Sequence, residues 1–64
     1  MNKALKFQGR SGDIIYDIVI NSEAIVAFDL WKDMYRVYLK GGQTISVLAS
    51  PKTYNMLIDA IESK

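Results

Sequence analysis

The chain contains no cysteine and no histidine, and it has only one proline and four glycines among its 64 residues. Without cysteine it can form no disulfide, and without either residue it lacks the ligands of the usual zinc sites. The commonest general base and the commonest thiol nucleophile of enzymes are also missing. We therefore expect a non-enzymatic protein with no catalytic residue, no metal and no cofactor.

Neither sign of charge dominates, since eight basic and seven acidic residues give a formal net charge of +1. This balance does not favour nucleic acid or an anionic membrane as a partner. Long apolar runs are absent as well: none approaches the ~18 residues of a membrane span, and none near the start resembles a signal peptide. The sequence predicts a cytoplasmic protein with one domain, residues 1–64.

The composition is nevertheless that of a folded protein, because half of the residues are hydrophobic and 23% are charged. A single core in so small a chain rarely contributes more than roughly 3–5 kcal/mol of net stability, and small domains often gain more from disulfides, metals or partners. With disulfides and zinc excluded, we expect a homo-oligomer or a protein that binds a larger partner.

Two glycines, Gly41 and Gly42, separate two runs in which apolar and polar residues alternate, and this pattern is typical of a β-hairpin. Three earlier runs favour strands because they alternate or are rich in β-branched residues. We expect a turn at residues 9–12 and a tight loop at residues 31–34. The predicted strands are residues 3–8, 13–20, 24–31, 34–40 and 43–49.

The last part of the chain predicts a helix over residues 51–62. Ser50 suits the N-cap and Pro51 the first helical position, where its missing N–H costs nothing. Apolar residues then follow at i, i+3, i+4 and i+7, namely Tyr54, Leu57, Ile58 and Ile61. The predicted fold is α+β: a small antiparallel meander of four to five strands, flat or curled into an open barrel, with this helix packed on it.

The carboxylates give little support to catalysis. Most of them are expected at strand ends, in a turn or on the outer side of the helix, where they are solvated surface charges. A general acid–base pair needs two carboxylates held together in a water-poor pocket. The seven candidates are Asp13, Asp17, Glu23, Asp29, Asp33, Asp59 and Glu62.

One face of the predicted sheet carries more apolar residues than a solvated face needs. The helix is expected to cover Ile14, Tyr16, Ile18, Val26, Phe28, Val37, Leu39, Ile45 and Val47. Closure of the sheet, or packing of the first strand, would bury some of the residues left over; otherwise they form an interface, for which tryptophan and tyrosine are frequent anchors. The set left over is Ile15, Val19, Ile25, Trp31, Tyr38 and Leu48, and the candidate interface is Ile15, Val19, Trp31, Tyr38 and Leu48.

A second hypothesis is a nucleic-acid surface. Basic residues interleaved with aromatic ones on a sheet can neutralise phosphates and stack bases. Arg36 and Lys40 are expected on one face of a strand, with Tyr38 between them. The alternative is an ordinary charged face with cross-strand ion pairs, because acidic residues are close by. The candidate contacts are Lys32, Arg36, Tyr38 and Lys40.

From residue 7 onward the chain resembles the small flagellar and swarming-motility proteins of the FlbD type. The residues that carry this resemblance are 6–9, 19–25, 37–42 and 47–61. The resemblance implies a strand, a glycine turn, paired strands and a terminal helix, and it implies no site residue. The pattern is also similar to the strand-and-helix half of LytTR-type DNA-binding domains, which are longer.

These observations predict a protein-interaction module that self-associates or docks on a protein partner to regulate or inhibit it. An accessory protein of a phage or mobile element that blocks a host enzyme is one concrete form of this hypothesis. The alternative is a small nucleic-acid-binding module.

Overall fold

The computed structural model describes residues 3–63, in which five antiparallel strands precede one helix. In chain order these are β1 (Ala4–Ser11), β2 (Ile14–Asn21), a 3₁₀ turn (Ser22–Ala24), β3 (Ile25–Trp31), β4 (Met34–Leu39), β5 (Thr44–Leu48) and α1 (Pro51–Glu62). This arrangement confirms the predicted α+β class with a C-terminal helix.

The strands form two sheets rather than one continuous meander. β1 and β2 make a hairpin, and β3, β4 and β5 make a three-stranded meander. The 3₁₀ turn separates the two sheets, and it begins where the Asn21 side chain accepts a hydrogen bond from the Glu23 N–H at 2.9 Å. β1 lies beside β5, yet the described strands do not close into a barrel.

The first hairpin is longer than the sequence pattern predicts. The strand was expected to end at residue 8, but β1 continues to Ser11, and the turn consists of Gly12 and Asp13. Gly12 has a φ of 60°, which glycine adopts without strain at the first central position of a tight hairpin turn. Gly9 lies within the strand opposite Tyr16, whose ring covers it so closely that an added Cβ would approach the ring to 2.7 Å.

A β-bulge in β3 changes which of its residues enter the core. Ile25 pairs with Leu39, but Ala27 pairs with Tyr38, so that one residue of β3 is extra. Ile25 is therefore fully buried, and Val26 is 53% exposed. The expectation that Val26 lies in the core and Ile25 on the outer side is wrong, because simple alternation along β3 ignores the bulge.

The core lies between the two sheets and α1. Among residues 3–63, seven apolar side chains are buried in it, namely Phe7, Ile20, Ile25, Val37, Val47, Leu57 and Ala60. The helix packs mainly against β3 and the 3₁₀ turn. A 12-residue helix is marginal by itself in water, so this packing is what keeps α1 helical.

The predicted start of α1 is confirmed. The Ser50 hydroxyl accepts a hydrogen bond from the Thr53 N–H at 3.1 Å, and Pro51 occupies the first turn. The predicted apolar stripe is correct only in part, because Leu57 and Ala60 are the buried residues of the helix. Tyr54 is instead half exposed and lies edge-on to Phe28, with 5.8 Å between the ring centroids.

The outer end of the first hairpin extends beyond the cover of the helix. Ile14 and Tyr16 were expected under α1, but they are 67% and 45% exposed. All residues from 10 to 17 are exposed. The helix therefore covers only the part of the hairpin that contains Phe7 and Ile20.

Lys32 offers a direct test of the β3–β4 turn. Its φ is 57°, a left-handed conformation that costs a non-glycine residue roughly 1–2 kcal/mol. Glycine loses about 0.5–1 kcal/mol through unfolded-state entropy. We therefore expect Lys32→Gly to raise the free energy of unfolding by up to about 1 kcal/mol in a urea titration. Asp33→Gly, at a turn position without positive φ, should lower it; equal changes in both variants would contradict the backbone strain.

Candidate functional site

The side of the three-stranded sheet that faces away from the core is the candidate site, and we call it the outer face. Cross-strand partners lie on the same side of a sheet, so the pairing register defines its rows. Phe28, Val37 and Ile45 belong to the opposite, core-facing side. The rows of the outer face are Trp31–Met34–Leu48, Asp29–Arg36–Ser46 and Ala27–Tyr38–Thr44.

A charged network occupies the middle of the outer face. The Arg36 guanidinium donates two hydrogen bonds to Asp29, from Nε to Oδ1 at 2.8 Å and from an Nη to Oδ2 at 2.6 Å. The Tyr38 hydroxyl donates a third bond to Asp29 Oδ2 at 2.8 Å. Paired hydrogen bonds from a guanidinium to a carboxylate fix the geometry of both groups. Three strand residues are thus held in defined positions although their side chains are partly exposed.

The single tryptophan lies over this network. The Arg36 guanidinium carbon is 5.0 Å from the centre of the Trp31 ring and 6.0 Å from that of Tyr38. Lys32 Nζ is 5.8 Å from the same tryptophan ring. Cations at these distances are attracted by the electron-rich ring face. Trp31 remains 54% exposed, so an ordered indole surface is available at the end of β3.

The pKa values in the network shift as the hydrogen bonds require. The hydrogen bonds from Arg36 hold the pKa of Asp29 below its ordinary value against the opposing effect of desolvation, and the weaker effect of the Tyr38 hydrogen bond also lowers it. The hydrogen bond to Asp29 raises the pKa of Tyr38, because a phenolate could no longer donate it. The same partner raises the pKa of Arg36. At neutral pH the network therefore consists of a carboxylate, a guanidinium and a neutral phenol.

The predicted interface residues fall on two different sheets. Trp31, Tyr38 and Leu48 lie together on the outer face, with Trp31 and Leu48 in one row. Ile15 and Val19 lie on β2, opposite Arg10 and Lys6, and both are exposed. The predicted interface residues therefore form two separate apolar regions, where the sequence predicted one set.

The predicted nucleic-acid contacts are only partly brought together. Arg36 and Tyr38 belong to the network, and Lys32 lies beside Trp31. Lys40 lies beyond the end of β4, in the turn, so the prediction that it shares a strand face with Arg36 is wrong. Its backbone N–H donates instead to the Ala24 carbonyl at 2.8 Å.

Asp29 is the central residue of the network, but in the sequence it was only one of seven carboxylates and one of the acidic residues expected near the basic ones. Its role could have been found from the turn. A two-residue turn at residues 32 and 33 places Trp31 opposite Met34, and the same register places Asp29 opposite Arg36. Opposite charges directly across an antiparallel pair attract each other.

Two open grooves flank α1. One, of about 410 Å³, lies between the start of β1, the 3₁₀ turn and the end of the helix, and it includes Lys3 and Asp59. The other, of about 390 Å³, lies between β1 and the start of the helix. Residues 3–63 contain no group of three or more carboxylates placed to hold a metal ion. Over the same range, no helix has the length and apolar character needed to cross a membrane.

Comparisons of the chain with protein families, with curated proteins and with solved structures find no match. The resemblance to FlbD-type proteins therefore stays a prediction.

The Asp29 network predicts a specific pH dependence. Because the folded-state pKa of Asp29 lies below its ordinary value of 3.8, its stabilising effect is present above about pH 4 and is lost as the pH falls through the lowered pKa. The pKa of Tyr38 is raised above its ordinary 10.0, so that its contribution is lost only in strong alkali. We expect Asp29→Asn to make the free energy of unfolding fall less steeply as the pH is lowered. We also expect it to lower the pKa of Tyr38, which is measured by NMR.

The matched control is Asp33→Asn, which removes a carboxylate from the adjacent turn and leaves the network intact. Asp33→Asn should leave unchanged both the fall of the unfolding free energy at acid pH and the raised pKa of Tyr38. An Asp29→Asn protein whose unfolding free energy falls at acid pH as steeply as that of the natural chain would contradict the stabilising role of the network.

Proposed function

We propose that this protein is a non-enzymatic interaction module that self-associates and docks its outer face on a protein partner, which it regulates or inhibits. The observation that carries the proposal is the ordered, half-exposed Trp31 above the Arg36–Asp29 pair. Such a surface offers apolar area and hydrogen-bonding groups in one place.

The residue types of the outer face support this proposal. Tryptophan, tyrosine and arginine are the residues that most often dominate the energy of protein interfaces. Here one of each lies within a single cluster, together with the partly buried Met34 and Leu48. A patch with an aromatic anchor and an ordered polar centre fits a protein surface better than a small molecule, for which enclosed pockets are typical.

The hydrogen bonds within the outer face also favour docking, because they order its side chains before a partner binds. An interface side chain that is immobilised on binding costs roughly 0.5–1.5 kcal/mol. Arg36 and Tyr38 are already held by hydrogen bonds to Asp29, so part of this cost is met within the free protein. The outer face therefore resembles a preformed binding surface.

The cellular role stays a prediction. One concrete form of the proposal is an accessory protein of a phage or mobile element that blocks a host enzyme in the cytoplasm. This role requires no catalytic group, because a protein that occludes its partner's surface acts by contact alone.

We expect Trp31→Ala to weaken partner binding by about 2 kcal/mol, or roughly 30-fold, because the indole would anchor the contact. A tagged chain would capture partners from nuclease-treated lysate, and the affinity would then be measured with the purified partner. Leu30→Ala is the matched control: it alters the adjacent residue of the same strand, which is 61% exposed on the opposite side. Equal binding by both variants would contradict docking through the outer face.

The nucleic-acid alternative is favoured by one observation, the two cationic side chains beside the exposed Trp31 ring. Against it, Asp29 neutralises Arg36 through two hydrogen bonds. That pairing leaves Lys32 and Lys40 as the candidate phosphate contacts, and two phosphate contacts give little affinity at physiological salt.

We therefore expect a fluorescent single-stranded oligonucleotide to show no salt-dependent binding in an anisotropy titration between 50 and 200 mM salt. Lys32→Ala and Lys40→Ala should be indistinguishable from the natural chain. Binding whose salt slope is reduced by either substitution would move the proposed function to nucleic acid.

A further inference from the structure

The second exposed apolar region is the free edge of β2. Within its sheet β2 pairs only with β1. The two-residue turn at Gly12 and Asp13 makes Ser11 and Ile14 a hydrogen-bonded pair, so alternate residues from Ile14 onward direct their backbone N–H and C=O groups toward β1. Ile15, Asp17 and Val19 direct theirs away from it. The described chain provides no strand on that side.

This edge has only one of the features with which proteins usually prevent strand pairing, a single charged residue. β2 contains no proline, no lysine and no arginine, and Asp17 is its one charged residue. The other edge strands of the two sheets differ from β2. β1 lies beside β5, and β3 carries a bulge and contacts α1. A long apolar edge with unpaired backbone groups is a template for a further strand.

The outer half of the hairpin also needs a packing partner. Residues 10–17 are all exposed, and the main local packing there is the Tyr16 ring over Gly9. A two-stranded hairpin by itself is marginally stable in water, and three or more strands with an apolar face are needed for independent stability. Ile14, Ile15, Tyr16 and Val19 are exposed, and an added strand would give them cross-strand side-chain contacts on their own faces of the sheet.

We propose that two copies of this chain pair through β2, antiparallel and related by a two-fold axis at Tyr16, to form a continuous four-stranded sheet. The inference rests on the self-association part of the proposed function and assigns its surface. A second copy is the occupant because β2 is complementary to itself in this register: Ile14 faces the partner's Ile18, and no two aspartates face each other.

The alternative symmetric registers are less favourable. In a two-fold pair of this kind one residue faces its own copy across the axis; Asp17 and Ile18 lie nearest the middle of the edge, and Tyr16 and Val19 lie next to them. An axis at Asp17 would place two carboxylates directly opposite each other. An axis at Ile18 or at Val19 would use the inner end of β2, where Ile20 is already buried and the 3₁₀ turn follows. The axis at Tyr16 uses the exposed outer end.

The absence of cysteine makes this geometry directly testable. Tyr16 directs its backbone groups toward β1, so the two copies would face each other as a non-hydrogen-bonded pair with Cα atoms about 4.5 Å apart. A disulfide spans this separation, but not one above about 7 Å. We expect Tyr16→Cys to form a covalent dimer on mild oxidation, whereas Asp17→Cys and Ile18→Cys remain monomeric thiols on non-reducing gels.

A charge substitution tests the natural contact. Tyr16→Lys would place two ammonium groups opposite each other, and we expect it to convert the dimer to a monomer in sedimentation equilibrium at about 100 μM, with at least a tenfold weaker association. Val26→Lys introduces the same charge at an exposed apolar residue of β3 and should leave the dimer unchanged. Circular dichroism of each variant establishes that it is folded.

The outcomes separate this inference from the proposed docking. A monomeric natural chain at this concentration would overturn self-association, while docking through Trp31 would stand on its own test. A dimer that Tyr16→Lys leaves intact, or that crosslinks through Asp17→Cys or Ile18→Cys instead, would overturn the Tyr16 axis alone.

Discussion

The constraint on which this structure depends is the small capacity of its core. In the part of the chain that the structure describes, seven apolar side chains are buried between two sheets and one helix, and the sequence has no cysteine for a disulfide to support them. Because 64 residues bury a smaller fraction of their surface than a larger domain would, many apolar side chains remain outside. The exposed regions on the outer face and on β2 follow from this limit.

Ile25 shows how a local irregularity decides which residue of a strand enters the core. The bulge in β3 turns Ile25 inward to full burial and leaves Val26 exposed. The residues of β3 after the bulge keep the register set by the two-residue turn at residues 32 and 33, which places Asp29 opposite Arg36 and Trp31 opposite Met34. The bulge thus sets the packing at the start of β3, and the turn sets the polar network of the outer face.

The two exposed regions differ in physical character. On the outer face the side chains bind one another, and Asp29 accepts three hydrogen bonds. This face suits a partner that contacts side chains. The β2 edge offers unpaired backbone groups and suits a partner strand. Because they belong to different sheets, the proposed pairing through β2 and the proposed docking through Trp31 use different strands.

The sequence by itself determined the class and order of the elements. Alternation around Gly41 and Gly42 and the Ser50–Pro51 start of α1 are local signals, which depend on residues close together in the chain. Only the tertiary structure decided the rest: the division into two sheets, the bulge at Ile25 and the exposed end of the first hairpin. The physical reason is that burial depends on which surfaces pack together. A periodic pattern along one strand does not indicate which other elements lie next to that strand.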